Sequence, residues 1–434
     1  MRLTAVACGV CVGLVGSAAR AQDRTLTVEQ AVQLVEQNNP RVLGVLALSR
    51  GSKDMERSAL GRMMPSLRVS EEYQHWNAPF TFADAGFGSF PGNVRNQDTN
   101  NLAVTADQPL LGLVHLAHDR DAAALSARAS EAQLETARAD LKAMVETQFL
   151  RLFEAKALED IAKASEAELS EQVAVTQARL NAGVLTTADL LRVQVAVANA
   201  KQQEILAHTQ GEVARANLLG AVGLSQTDTG TVFAEPATLL ERAPRTTVSL
   251  EDAERQALAS RPELKEKMLR ADAAEHADKA HLFSLLPEVD AEGAYLRTDG
   301  AILNPPNAAF FGVKATWAFF EFGASYYAHK AASEQAEAAR QDAESEKQVI
   351  GVEVSTDLAQ KRAAAAAIDV ARQTIASAEE AYRVMQALLK AGSATTTDLL
   401  DSEAALTQAR LNLTRARYQQ AVAVVALNRS LGVR

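Results

Sequence analysis

The sequence predicts a mainly α-helical chain made of two copies of one unit, each copy interrupted by a pair of β-strands of membrane-crossing length. Three observations predict it. First, the chain repeats itself. Leu26-Thr27-Val28-Glu29-Gln30-Ala31 through Asn39-Pro40 returns at an offset of 222 (26 to 248) as Val248-Ser249-Leu250-Glu251-Asp252-Ala253 through Arg261-Pro262. Second, residues 117–182 and 324–390 contain no proline and are rich in Ala, Leu, Gln, Glu and Arg, all good helix formers. Third, of 21 Phe, Trp and Tyr residues, 16 fall in the windows 73–90 and 283–327. Self-similarity over about 200 residues means one architectural unit used twice.

Residues 1–21 read as a secretory signal, with Arg2, a short apolar run from Val6 to Val15, and Ala19-Arg20-Ala21 before Gln22. A lipoprotein reading at Cys8 leaves almost no signal ahead of the cysteine. Cys8 and Cys11, the two cysteines, both lie in this segment, so the mature chain is expected to have no disulfide and no thiol catalyst. Without Arg2 and Arg20 it carries 42 Lys and Arg against 54 Asp and Glu, a formal charge of −12. That balance argues against nucleic acid as a partner. No later stretch has ~18 uninterrupted apolar residues, so no transmembrane helix is expected, while a β-barrel stays open.

The first repeat covers 22–223 and the second 248–434, with a linker over 224–247 that contains Pro236 and Pro244. Short helices over 41–63 and 263–285 lead to prolines that open the hairpins, about 66–110 and 287–321. Leu67, Val69, Glu71 and Tyr73 alternate with Arg68, Ser70, Glu72 and Gln74; Val289, Ala291, Gly293 and Tyr295 repeat the pattern. Returning strands carry Leu102, Val104, Ala106 and, in the second copy, Phe311, Val313, Ala315, Trp317, Phe319. The strands are about 10–13 residues long, where a transmembrane strand needs ~9–11. Aromatics bunched near strand ends suit a lipid-facing wall. A soluble hairpin packed on a helix is the plainer alternative.

Long helices follow over about 117–182 and 324–390. Ile368, Ala371, Ile375, Ala378, Tyr382, Met385 and Leu389 form a heptad seam, and Leu169, Val173, Thr176 and Leu180 a second. Spacing of three and four makes a narrow seam for antiparallel partners. Both helices end at Ala-Gly, 182–183 and 391–392, with glycine suited to a left-handed cap. Thr186 and Thr395 are placed to N-cap the returning helices, 187–222 and 397–431, with Asp at the third helical position.

The two turns are alike in wording. Asn181-Ala182-Gly183-Val184-Leu185-Thr186-Thr187-Ala188-Asp189-Leu190-Leu191 lies over Lys390-Ala391-Gly392-Ser393-Ala394-Thr395-Thr396-Thr397-Asp398-Leu399-Leu400. With the duplication and the proline-led hairpins, these turns make the whole mature chain resemble the TolC-family outer-membrane efflux proteins. The resemblance implies a homotrimer in outer-membrane lipid, four strands per protomer in one twelve-stranded barrel, and an α-helical periplasmic tunnel. It implies a passive exit duct for efflux or type I secretion, working with a periplasmic adaptor and an inner-membrane pump of RND, ABC or other class. It implies no enzyme activity and no cofactor. Oligomerisation also follows from physics, since four strands cannot close a barrel and open edges are not tolerated in lipid. Twelve strands leave a hollow lumen.

By that resemblance the tips that face the adaptor are Ala182, Gly183, Val184 and Leu185, and Ala391, Gly392, Ser393 and Ala394. Acidic rings at the periplasmic aperture would fall on Asp398 and Asp401, with Asp189 the first-copy equivalent of Asp398. Helix capping explains Asp189 and Asp398 equally well. Asp401 differs, because its first-copy equivalent is Arg192. An Arg192–Asp401 ion pair between neighbouring tip turns is therefore expected as a latch on the closed entrance, contributing only ~0–1 kcal/mol if exposed. The Tyr and Arg lock that flanks the second glycine in family members falls on Leu389 and Ala394, so it does not carry over.

The seven histidines are His75, His115, His118, His208, His276, His281 and His329. His115 and His118 have helical spacing, and His329 matches His118 across the copies, but a metal site would need further ligands. Polar residues at a barrel–helix junction account for them without one, and no metal is expected. No G-x-S-x-G, phosphate loop or Cys/His cluster is present. Two other classes of function compete: a periplasmic adaptor, which should show one helical hairpin flanked by soluble β-domains, and a coiled-coil scaffold, which leaves the aromatic windows unexplained.

Overall fold

The computed structural model describes residues 24–86, 92–228, 230–241, 249–302 and 306–433. The expected signal segment 1–21, Phe87, Phe90 and linker residues 242–247 with Pro244 lie outside the described residues. The first copy runs β1 (Arg24–Leu26), α1 (Val28–Asn38), α2 (Pro40–Arg62), β2 (Ser66–His75), β3 (Phe80–Thr81), β4 (Asn93–Pro109), α3 (Leu113–Asn181) and α4 (Thr187–Val222). The linker contributes β5 (Thr231–Phe233) and α5 (Ala237–Glu241). The second copy runs α6 (Leu250–Ser260), α7 (Pro262–Phe283), β6 (Glu288–Ala301), β7 (Asn307–Thr316), α8 (Ala324–Lys390) and α9 (Thr396–Ser430). Among the described residues no helix is long and apolar enough to cross a membrane.

By packing, the chain divides into two units. One comprises Met1–Val35, Val145–Arg242 and Ile375–Tyr418; the other comprises Glu36–Met144, Ala243–Thr374 and Gln419–Arg434.

The second unit holds the larger sheet, in the order β2-β4-β6-β7, with β3 also paired to β4. All its pairings are antiparallel. Register sorts the side chains, because successive residues point to opposite faces. Leu67 lies opposite Ala106, which lies opposite Gly293, which lies opposite Phe311. The row Val69, Val104, Tyr295, Ala309 shares that face. The other face carries Ser66, Asp107, Glu292 and Gly312 in one row and Glu72, Asn101 and Thr298 in another. Leu67 is 79% and Phe311 82% exposed, so the apolar face is left uncovered by the chain itself. A bare apolar surface of this kind calls for lipid or a partner.

The bounds of β4 and β7 depart from expectation. β4 has 17 residues, because β3 and the end of β6 extend its ladder into the segment read as loop. β7 ends at Thr316, so Trp317 and Phe319 lie beyond the strand. Thr316 pairs with Glu288, and the next residue back is Pro287, which has no N–H to offer a ladder. Trp317 instead donates its ring N–H to Leu285 O at 3.3 Å.

The core of this unit gathers Ala253 and Ala257 of α6, Leu264 of α7, Ile350, Val354 and Leu358 of α8, and Leu427 and Leu431. Beside it, Arg429 donates to Asp140 at 2.8 Å and also bonds Glu263, while Arg261 pairs with Glu263 and Glu353.

In the first unit, β1 and β5 pair in parallel, Leu26 opposite Phe233. Phe233 meets Phe149 of α3 edge-on, with centroids 5.4 Å apart. Arg215 of α4 donates to Thr231 O and Asp228 O, both at 3.0 Å, and so satisfies carbonyls of the linker. The predicted seams are the less exposed sides of their helices: Leu169 and Thr176 are buried, and Ile375, Ala378, Tyr382 and Leu389 are half-buried.

Candidate functional site

The two helix–helix turns lie in the first unit and are built by the same backbone devices. α3 stops because Gly183 takes φ 73°, and α8 stops because Gly392 takes φ 75°. A Cβ at either glycine would meet nothing within 4 Å, so the backbone angle and not crowding requires glycine. Gly183 N–H donates to Leu180 O and Val184 N–H to Arg179 O, each at 2.9 Å. Gly392 N–H and Ser393 N–H repeat this with Leu389 O and Leu388 O at 3.2 and 2.9 Å. The crossed pair satisfies carbonyls that a helix end leaves bare. Ala182, Gly183 and Val184 are exposed and Leu185 half-buried; Ala391, Gly392 and Ser393 are exposed and Ala394 half-buried.

Each returning helix starts with a capping box. Thr186 N–H and Oγ1 donate to Asp189 Oδ2 at 3.0 and 2.7 Å, and Asp189 N–H donates back to Thr186 Oγ1 at 3.3 Å. Thr395 and Asp398 repeat this at 2.8, 2.6 and 3.2 Å. The threonine hydroxyl, and then the threonine amide, hold both carboxyls below the usual carboxylate range.

Asp401 differs from both. It is exposed, and among the described residues it makes no ion pair or hydrogen bond. The structure does not bring Arg192 onto it within the chain. The Arg192 guanidinium lies 3.6 Å from Asp189 Oδ1 and donates to Thr397 Oγ1 at 3.1 Å. Asp189 sits one turn before Arg192 on the same helix face and so offers the nearer carboxylate. Thr397 was missed by sequence reasoning. The signal for it was its i, i+4 spacing to Asp401, which puts both on one face of α9.

The histidines separate. His115 packs over Gly112, and His329 Nδ1 lies 2.9 Å from Asp278 Oδ1 at an angle too poor for a hydrogen bond. His118 meets His276 across two helices rather than His115 along one.

Two long helices that end in matched tip turns, and a sheet with one bare apolar face, are the features to be placed in a class. The family model of outer membrane efflux proteins matches residues 18–224 and 254–433, so the chain belongs to that family of outer-membrane efflux channels. Its fold is shared with solved structures. The outer membrane protein VceC from Vibrio cholerae superposes with TM-score 0.82 at 16% identity, over 93% of this chain and 96% of that one. The CmeC outer membrane channel of Campylobacter jejuni gives 0.81 at 14%, over 93% and 85%. The MtrE outer membrane channel of Neisseria gonorrhoeae gives 0.77 at 17%, over 96% and 93%. At these identities the likeness is one of fold. A sequence search of curated proteins returns no match. The family match leaves the adaptor reading without support.

Proposed function

We propose that three copies of this chain close one twelve-stranded barrel and form a passive exit duct of a tripartite efflux or type I secretion system. One observation supports closure by repeated copies. Both edges of the sheet, β2 and β7, are unpaired among the described residues, and alternation along β2-β4-β6-β7 makes them antiparallel to one another. β7 of one copy therefore has the right direction to pair with β2 of the next, and three repeats of four strands close the ring. Open edges in hydrocarbon cost several kcal/mol per unpaired group.

The tips, Ala182 to Leu185 and Ala391 to Ala394, present accessible backbone, mostly small side chains and the exposed Val184 to a periplasmic adaptor, and an inner-membrane pump supplies the energy. Asp401, with Asp398 and Asp189 behind it, forms the acidic aperture. Arg192 acts as the latch, held in this chain by Asp189 and by Thr397, which stands one helical turn before Asp401. Electrophoresis of unheated, crosslinked, detergent-extracted outer membranes tests the assembly: a trimer is expected, and a water-soluble monomer would overturn it. For the docking role, Val184→Cys and Ser393→Cys are expected to crosslink to the adaptor in cells, and capture only from cysteines placed midway along α8 would exclude the tips.

A further inference from the structure

Two imidazoles face each other close to where strand gives way to helix. His118 stands in the second turn of α3, and His276 stands on α7 about two turns before that helix ends at Phe283. His118 Nδ1 lies 3.2 Å from His276 Nδ1, and His276 Nδ1 lies 3.8 Å from Asp121 Oδ2. The ligand atoms of His118, Asp121 and His276 all lie within 4.8 Å of one another, and all three residues are half-buried. The His118 ring is stacked on Phe283, 5.3 Å between centroids and 6° between planes, which holds its orientation. Arg120 takes the other Asp121 oxygen at 2.5 Å and leaves Oδ2 turned toward His276.

The geometry points to a site for a borderline divalent first-row cation, with Zn²⁺ the simplest occupant, held by His118, Asp121 and His276. Two imidazole nitrogens and one carboxylate oxygen are the donor set such ions prefer over Mg²⁺ or Ca²⁺. Two nitrogens bound to tetrahedral Zn²⁺ at ~2.0–2.1 Å stand roughly 3.3 Å apart, close to the spacing here. His118 and Asp121, three residues apart, share one face of α3, and α7 brings His276 to them. Without an ion the contact needs one imidazole to donate and the other to accept; a cation takes the place of that shared proton. The fourth position is left for water. His118 and His276 are 158 residues apart and belong to different copies of the repeat, so the ion ties the copies together beside the strand ends. Its role is a clip on the fold.

The full-length protein, purified in detergent and stripped with a chelator, is titrated with Co²⁺ as a spectroscopic stand-in for Zn²⁺. One Co²⁺ per chain with tetrahedral visible bands, displaced by Zn²⁺, is expected. His118→Ala and His276→Ala should each weaken binding at least tenfold, Asp121→Asn less, and His208→Ala not at all. As a second measurement, Zn²⁺ should raise the thermal midpoint of the parent chain and leave that of His276→Ala unmoved, since only a bound native state is stabilised. If an alanine variant does not fold, His276→Gln replaces it. Absence of Co²⁺ bands in the parent chain, or bands that persist in the His118→Ala/His276→Ala double variant, would overturn the site.

Discussion

Ser165 Oγ donates to Glu403 Oε1 at 2.7 Å, joining α3 to α9 across 238 residues of sequence. Both residues are buried, and Thr407 Oγ1 donates to the same carboxylate oxygen at 2.9 Å. A buried carboxylate is tolerated only with such donors. Ser165→Ala is therefore expected to lower stability by about 1–3 kcal/mol, because it leaves an acceptor short of a partner. Glu403→Gln, which keeps the shape and one acceptor oxygen, should cost less. Thermal melts followed by circular dichroism check the order, and equal melting of the parent and Ser165→Ala would remove the bond from the account of stability.

Acid should weaken the second unit through Glu263. Burial alone would raise its carboxyl, but hydrogen bonds from Arg261 and Arg429 outweigh burial and hold it below the usual range. A depressed folded pKa contributes stability that is fully present above the unfolded value, ~4.3, and is lost as pH falls through the folded value. Melting midpoints between pH 7 and 3 should accordingly fall below about pH 4.3, and Glu263→Gln should flatten that fall. Arg429→Ala should destabilise toward the lower end of ~3–5 kcal/mol, since Arg261 still pairs Glu263 and Asp140 is partly solvated.

Register predicts opposite fates for neighbouring aromatics. Phe311 shares the face of Leu67, Ala106 and Gly293, whereas Phe310 shares that of Arg68, Thr105 and Ala294. Phe311→Arg should cost ~2–4 kcal/mol if its face meets hydrocarbon at mid-depth, and Phe310→Arg much less. The yield of heat-labile oligomer from outer membranes reads the difference. A larger loss from Phe310→Arg would mean that the faces have been assigned to the wrong sides, and equal loss that the two faces meet the same surroundings.

The latch makes an electrical prediction. Arg192→Glu should change single-channel conductance in planar bilayers, because it sets a second carboxylate beside Asp189 and removes the donor to Thr397. Conductance unaltered by the single substitution removes Arg192 from gating. If Arg192→Glu and Thr397→Ala give the same change, the hydrogen bond seen here, at 3.1 Å, does the holding.

Much of this fold is written locally. Hydrophobic spacing, Ala-Gly helix ends and Thr-x-x-Asp starts are decided within a few residues of backbone, which is why Gly183, Gly392, Thr186 and Thr395 could be assigned their conformations from sequence. Duplication and strand alternation likewise made the class of the chain and both hairpins legible. Pairings between distant segments were not. β4 against β6, β1 against β5, Arg192 on Thr397 and His118 against His276 each join residues 158 or more apart, or strands of different copies. No periodicity encodes such choices. They are set when remote strands and helices meet in the folded chain, and at the tip Arg192 found Asp189 and Thr397 nearer than Asp401.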